Sequence, residues 1–161
     1  AARWIRQSTP NQTLIGGSLS FSGGLHSGAT SPAHANIARF QRIIDAIGVP
    51  EDVSIQRCTP NNLGVKLLYP GDVTFNLDCR MEEGLERRME MVLEFQEGIV
   101  RQESGRVFLD GKEVEIESSP GLFNTDQLAA TAVILDGAKP YISMERVLDG
   151  LAVADLVMGV S

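Results

Sequence analysis

The sequence predicts a single α+β domain over residues 1–161, with a mainly antiparallel sheet packed against about four helices. Short β-rich runs between residues 53 and 79 are separated by turn clusters, which is typical of an antiparallel meander. An Asp110-Gly111 pair lies between two further β-type runs, and this dipeptide is a strong hairpin signal. Apolar residues at helical spacing occur before, between and after these runs, so helices accompany the sheet.

The composition favours an ordinary globular chain with a sizeable core, because 43% of the residues are apolar and 22% are charged. Lysine and arginine number 14 against 21 acidic residues, which gives a formal net charge of −7. We expect no nucleic-acid partner, since phosphate backbones are bound by clustered basic residues. The sequence shows neither a membrane-spanning apolar run nor a secretory signal. We therefore expect no membrane contact and a cytoplasmic location.

The first predicted strand runs from Thr13 to Ser22, and the Gly16-Gly17 pair within it either weakens the strand or marks a bulge. The first predicted helix follows Ser31, an N-cap residue placed directly before Pro32. Isoleucines and a phenylalanine then recur at helical spacing until Gly48, which ends the helix.

The middle of the chain predicts three strands and then a long helix. The runs VSIQRC, VKLLY and VTFNLDC are separated by TPNNLG and PGD, so they form the predicted meander. From residue 81 to residue 104 the pattern changes, and glutamates surround apolar residues at helical spacing. These apolar residues are Met81, Leu85, Met89, Val92, Phe95 and Ile99. They predict an amphipathic helix over this segment.

The remainder of the chain predicts a hairpin over residues 106–117 and helices over 124–135 and 143–158. The last helix carries apolar residues around most of its circumference, so it requires cover on several sides. Either the domain itself covers this helix or a second copy of the chain does. We favour the second copy, which predicts a homo-oligomer formed through residues 143–158. Asp149 and Asp155 interrupt this apolar helix, and carboxylates buried there would need partners.

The two cysteines, Cys58 and Cys79, are too few for a disulfide framework, and each ends an apolar run. We predict that both are buried free thiols. The two histidines, His26 and His34, do not have the spacing of a metal-binding pair, and no cysteine lies near them in sequence. The sequence therefore predicts no metal site, and it identifies no cofactor.

Residues 16–34, the Gly/Ser segment, read GGSLSFSGGLHSGATSPAH and contain five glycines, five serines and both histidines. Glycines allow close backbone approach to a ligand, hydroxyls donate and accept hydrogen bonds, and the following helix start attracts anions. We predict that this segment binds an anion or another small ligand. The candidate ligand-binding residues are Ser22, Gly23, Gly24, His26, Ser27 and Ser31.

Two functions remain open. The favoured one is an oligomeric structural or small-ligand-binding module, because no catalytic signature is evident. The alternative is an enzyme that binds a nucleotide or another anionic substrate through the Gly/Ser segment, with His26 or His34 as acid or base. Ser27 is a further catalytic candidate, and a serine and histidine of this segment, oriented by an aspartate such as Asp45, would form a nucleophilic arrangement.

The hexapeptide Ser22-Gly23-Gly24-Leu25-His26-Ser27 resembles the SGGxDS loop of the PP-loop ATP pyrophosphatase family. In that family, backbone amides and hydroxyls of the loop hold the phosphates of ATP. The resemblance implies a nucleotide-binding loop at this hexapeptide, followed by alternating β and α units. His26 stands where the family's pattern has aspartate, and the strands predicted downstream are antiparallel.

Overall fold

A computed structural model describes residues 12–24, 31–116, 122–139 and 144–159, together with Ile5, Ser8 and Thr9. Eight strands lie in these ranges: β1 Leu14–Gly23, β2 Asp52–Thr59, β3 Asn62–Tyr69, β4 Val73–Met81, β5 Arg88–Phe95, β6 Gly98–Glu103, β7 Arg106–Leu109 and β8 Lys112–Val114. The described helices are α1 Pro32–Ala35, α2 Ile37–Ile47, α3 Leu122–Asp136 and α4 Met144–Met158.

The strands form one sheet in the order β2-β3-β4-β1-β5-β6-β7-β8. Within the described strands, β1 and β4 make the one parallel pair, and every other pairing is antiparallel. The predicted α+β class with a mainly antiparallel sheet is confirmed. The extent of one domain over residues 1–161 stays a prediction.

Strand β1 lies in the middle of the sheet, and its glycine pair has two different roles. The pairing with β5 shifts register between Leu14 and Gly16, which is the predicted irregularity. Gly17 is a point of close approach, because a Cβ there would lie 2.6 Å from the carbonyl oxygen of Val92 and 2.7 Å from the ring of Phe75. Only a hydrogen atom fits between these two groups.

The core lies between one face of the sheet and helices α1, α2 and α4. Alternate residues of the central strands are buried on this face, and they pack against apolar side chains of the helices. The fully buried large side chains include Leu19, Phe40, Ile43, Leu63, Leu67, Phe75, Leu77, Met91 and Leu93. The residues between them on β1 and β4, mostly serine, asparagine, aspartate and arginine, are largely exposed on the opposite face.

The helix predicted over residues 81–104 is wrong, because the segment forms the end of β4, a connecting loop, and strands β5 and β6. Met91, Leu93 and Phe95 alternate along β5 and are buried under the helices. Glu90, which is next to Met91 on β5, forms an ion pair with Arg101 of β6, with 3.3 Å between the carboxylate and Nε. The same sequence satisfies helical and strand periodicity, and burial within the sheet determines which one forms.

The other predicted elements are present, with small differences at their ends. Ser31 is the N-cap of α1, since its side-chain oxygen accepts the backbone N–H of His34 at 3.2 Å. The predicted first helix is divided in two at Asn36. Asp110 and Gly111 both have positive φ, 48° and 78°, as the tight turn between β7 and β8 requires.

Helix α4 buries only one of its faces. Gly150, Val153, Ala154 and Val157 are buried, whereas Met144, Leu148 and Leu156 are 73%, 56% and 51% exposed. The described part of the chain therefore does not cover this helix on several sides. No helix in the described ranges combines the length and hydropathy needed to cross a bilayer.

The cysteine prediction is half right, because Cys79 is buried on β4 but Cys58 is exposed on the edge strand β2. Burial raises the pKa of the Cys79 thiol to about 12. At neutral pH this group is therefore a neutral thiol rather than the reactive thiolate.

We expect a thiol reagent to modify one cysteine of the folded protein at once and the second only after unfolding. Cys58→Ser should remove the rapid reaction, and Cys79→Ser should leave it unchanged. Rapid modification of two thiols under native conditions would contradict the burial of Cys79.

Candidate functional site

The Gly/Ser segment begins within the central strand β1 and ends within helix α1. His26 and Ser27 lie outside the described residues, and with them half of the hexapeptide that resembles the PP-loop. The alternating β and α units implied by that resemblance are absent from the described strands, which are mostly sequential antiparallel neighbours. The described candidates are Ser22, Gly23, Gly24, Ser31 and His34.

Ser31, His34 and Asp155 form a connected group, here named the imidazole cluster. The Oγ of Ser31 lies 2.6 Å from Nδ1 of His34, and Nε2 of His34 lies 3.2 Å from a carboxylate oxygen of Asp155. A neutral imidazole protonated on Nε2 satisfies both contacts, because Nε2–H donates to Asp155 and Nδ1 accepts the Ser31 hydroxyl. The cluster fixes the orientation of the ring from both sides.

The imidazole cluster is accessible from solvent. The side chains of His34 and Asp155 are 32% and 47% exposed. Both ring nitrogens are engaged, so a proton reaches a ligand either through the Ser31 hydroxyl or after one partner moves. The arrangement can therefore exchange a proton with a ligand bound at the start of α1.

The structure brings together Ser31 and His34 as a serine–histidine pair, but the aspartate is not the one suggested from sequence. Asp45 pairs with Arg146 of α4, so it does not orient His34. Asp155, also on α4, supplies the carboxylate. Its position on an apolar helix was a signal in the sequence that it would need a partner.

Ser22, Gly23 and Gly24 differ from one another in what they contact. The hydroxyl of Ser22 donates to the carbonyl of Glu86 at 3.1 Å, and the carbonyl of Gly23 accepts the N–H of Glu82 at 3.1 Å. These two bonds attach the end of β1 to the loop of residues 82–87. A Cβ at Gly24 would meet nothing within 4 Å, so no close packing requires a glycine there.

Two buried polar residues near the imidazole cluster, Asn36 and Arg39, were not predicted from the sequence as functional candidates. Asn36 is fully buried, its Nδ2 donates to the carbonyl of Pro32 at 2.8 Å, and its Oδ1 has no hydrogen-bond partner among the described residues. Arg39 is 8% exposed, and its guanidinium lies 3.7 Å from the centroid of the Phe21 ring. Asn36 continues the apolar stripe of α2 toward its N-terminus, and this was the available signal.

A groove of about 610 Å³ lies at the C-terminal end of β1. Its lining includes Phe21 and Ser22 from β1, Arg87 from the loop, and charged residues of β4, β5 and β6. This volume is sufficient for a ligand of metabolite size. Across the described ranges, no three histidine, cysteine or acidic side chains are grouped to hold a metal ion.

Neither a protein-family model nor a curated protein sequence matches the chain. Solved structures do share its fold. Biliverdin reductase from Synechocystis, solved with biliverdin and NADP+, is 22% identical over 99% of this chain and 58% of its own, with a TM-score of 0.76. A UDP-N-acetylglucosamine 3-dehydrogenase from Acidithiobacillus ferrooxidans is 11% identical over 98% of this chain and 56% of its own, with a TM-score of 0.78.

An aldose-aldose oxidoreductase from Caulobacter crescentus, solved with glycerol, is 14% identical over 99% of this chain and 56% of its own, with a TM-score of 0.70. This chain thus spans a little over half the length of each of these proteins. The favoured sequence-based function, a structural or small-ligand-binding module, is wrong, because the structures sharing the fold are oxidoreductases and dehydrogenases. They support the alternative, an enzyme.

The described residues do not fit a dinucleotide bound by a glycine-rich turn between a parallel strand and a helix. Such a site presents free amides at the helix start. Helix α1 has four residues, begins with Pro32, which has no N–H, and its His34 amide already donates to Ser31. In addition, the parallel strands β1 and β4 are separated along the chain by two antiparallel strands.

Proposed function

We propose that this chain is the substrate-binding part of an oxidoreductase and that His34 transfers a proton to or from an anionic substrate. The observation that carries the proposal is the imidazole cluster at the start of α1, in a fold that oxidoreductases share over nearly all of this chain. The Gly/Ser segment, which leads into that helix, is the proposed edge of the substrate site.

The chemistry of hydride transfer explains why a histidine is needed. Reducing a carbonyl or a conjugated double bond by hydride adds a hydride and a proton, and the reverse oxidation removes both. Histidine gives or accepts a proton near neutral pH. Asp155 holds Nε2 in place, so the Nδ1 side, where the Ser31 hydroxyl lies, is the proposed path for the proton.

In this proposal the hydride donor is bound by residues other than those described. The described residues do not fit a bound dinucleotide. The chain also covers only 58% of the Synechocystis reductase, which was solved in complex with NADP+. We therefore assign NAD(P) binding to residues outside these 161. Self-association through residues 143–158 and a cytoplasmic location stay predictions, the first supported by the exposed Met144, Leu148 and Leu156.

The test is a hydride-transfer assay of the protein in its natural full length, with NADPH and NADH and a panel of anionic carbonyl and conjugated compounds. We expect turnover with at least one compound. We also expect the 161-residue chain alone to bind NADPH no more tightly than about 1 mM in calorimetry. Tight NADPH binding by this chain would contradict its assignment to the substrate, and absence of turnover across the panel would contradict the oxidoreductase.

A further inference from the structure

Three arginines that form no ion pair with a described residue lie at the end of β1 that leads to α1. Arg39 and Arg42 are one turn apart on α2, and Arg87 is in the loop of residues 82–87. We name them the arginine cluster. The hydrogen bonds from Ser22 and to Gly23 attach that loop to the end of β1, directly beside Phe21, on which Arg39 lies.

The charges of the arginine cluster act on one another. Burial lowers the pKa of Arg39, the nearby Cys79 opposes that effect, and the charges of Arg87 and Arg42 lower it further. Burial also lowers the pKa of Arg42, Arg87 adds to this effect, and the charge of Asp45 opposes it. Positive charges that are close enough to destabilise one another favour a bound anion between them.

Three carboxylates that are close in sequence to the arginine cluster are engaged by other arginines. The pairs are Asp45 with Arg146, Glu82 with Arg80, and Glu86 with Arg88. In the part of the chain that the structure describes, none of Arg39, Arg42 and Arg87 makes an ion pair. Cys79 does not neutralise Arg39, because burial keeps it a protonated thiol.

Arg39 donates to the carbonyl of Ala35 at 3.2 Å and lies on the Phe21 ring, but the absence of an ion pair at these three arginines is unusual among the described arginines. Acidic residues outnumber basic ones by 21 to 14, so carboxylates are abundant. A guanidinium as buried as Arg39, at 8% exposure, is costly when no anion faces it. Arg42 is half-buried and Arg87 is exposed. Arg87 and Phe21, the ring on which Arg39 lies, both line a groove of about 610 Å³.

We infer that the arginine cluster binds the oxyanion of a small ligand, a carboxylate or a phosphate, through the forked hydrogen bonds that guanidinium groups make. The guanidinium of Arg39 covers the ring of Phe21, so charge rather than aromatic stacking provides recognition at this point. This inference rests on the proposed function in treating the ligand as the substrate. The binding site itself does not depend on a catalytic role for His34.

The experiment is calorimetric titration of the 161-residue chain with citrate and with inorganic pyrophosphate, which separate carboxylate from phosphate recognition. Arg87→Gln and Arg42→Gln should each weaken binding of the preferred probe about tenfold or more, because each removes a charge-assisted contact. Lys112→Gln, which removes one positive charge from β8 at the far edge of the sheet, should change the affinity less than about twofold. The probe should also raise the Tm of the wild-type chain.

Failure of the wild-type chain to bind either probe at tens of millimolar would overturn the arginine cluster as a site. An equal loss in Lys112→Gln would also overturn it, since net charge would then explain the binding. Probe binding that depends on Arg87 and Arg42 supports the site even if the full-length protein transfers no hydride. Loss of hydride transfer alone therefore counts against the proposed function and not against the site.

Discussion

Replacing His34 with glutamine is expected to lower kcat of hydride transfer in the full-length protein by about 10²- to 10⁴-fold, the usual contribution of a general acid or base. Glutamine can form hydrogen bonds where the imidazole nitrogens contact Ser31 and Asp155, but it does not transfer a proton at neutral pH. The measurement is steady-state kinetics with the accepted substrate. The decrease should appear mainly in kcat, because substrate binding is assigned to other groups.

Two carboxylates of the same helix provide the matched comparison. Asp155→Asn should lower kcat by about tenfold, because the amide no longer fixes the tautomer and orientation of the imidazole. Asp149→Asn removes a carboxylate that is likewise partly exposed on α4, and we expect kcat to change less than about twofold. A His34→Gln variant with at least half of the wild-type kcat would exclude His34 as the acid or base.

Replacing Gly17 with alanine is expected to lower the free energy of unfolding by about 3 kcal/mol, at the upper end of the cost of overpacking. The added Cβ would lie 2.6 Å from the carbonyl oxygen of Val92, a backbone atom of β5. Val92 pairs with Ser18, the residue next to Gly17, so the carbonyl cannot retreat without disturbing the ladder between the two strands. Urea-induced unfolding with an unchanged m-value would measure the effect.

Gly16→Ala is the control for this substitution. A Cβ at Gly16 would lie 3.4 Å from a side-chain oxygen of Glu94, which is an ordinary contact with a flexible side chain. We expect the free energy of unfolding to change by less than about 0.5 kcal/mol. Similar destabilisation by both variants would show that the loss arises from removing glycine from a strand in general, not from the close approach at Gly17.

Local signals predicted much of the fold. Ser31 and Pro32 gave the start of α1, and the Asp110-Gly111 pair gave the turn between β7 and β8, because caps and tight turns depend on the few residues that form them. The helix predicted from residue 81 to residue 104 was wrong because its structure depends on distant residues rather than on local signals. Its methionines, leucines and glutamates favour helix locally, and only pairing with β1 and β7 makes it two strands.

The candidate site was predictable only in part. Ser31 and His34 are three positions apart, so their contact follows from one helical turn. Asp155 is 121 positions from His34, and only the packing of α4 against α1 brings the two together. The arginine cluster was not predictable either, because Arg87 lies in a loop that was predicted as helix, and only the fold brings that loop near Arg39 and Arg42. Contacts of this kind depend on sheet order, which sequence periodicity does not reveal.

The position of β1 has a consequence for the order in which the chain assembles. Strands β2 to β4 and β5 to β8 each pair with their neighbours in sequence, so each group is expected to form early through local contacts. Strand β1 is made first, yet it pairs with β4 and β5 and must wait until both groups exist. Its insertion, which closes long loops, is the expected slow step. The second half of the Gly/Ser segment follows β1 directly in sequence, so binding of a ligand there would report the completion of folding.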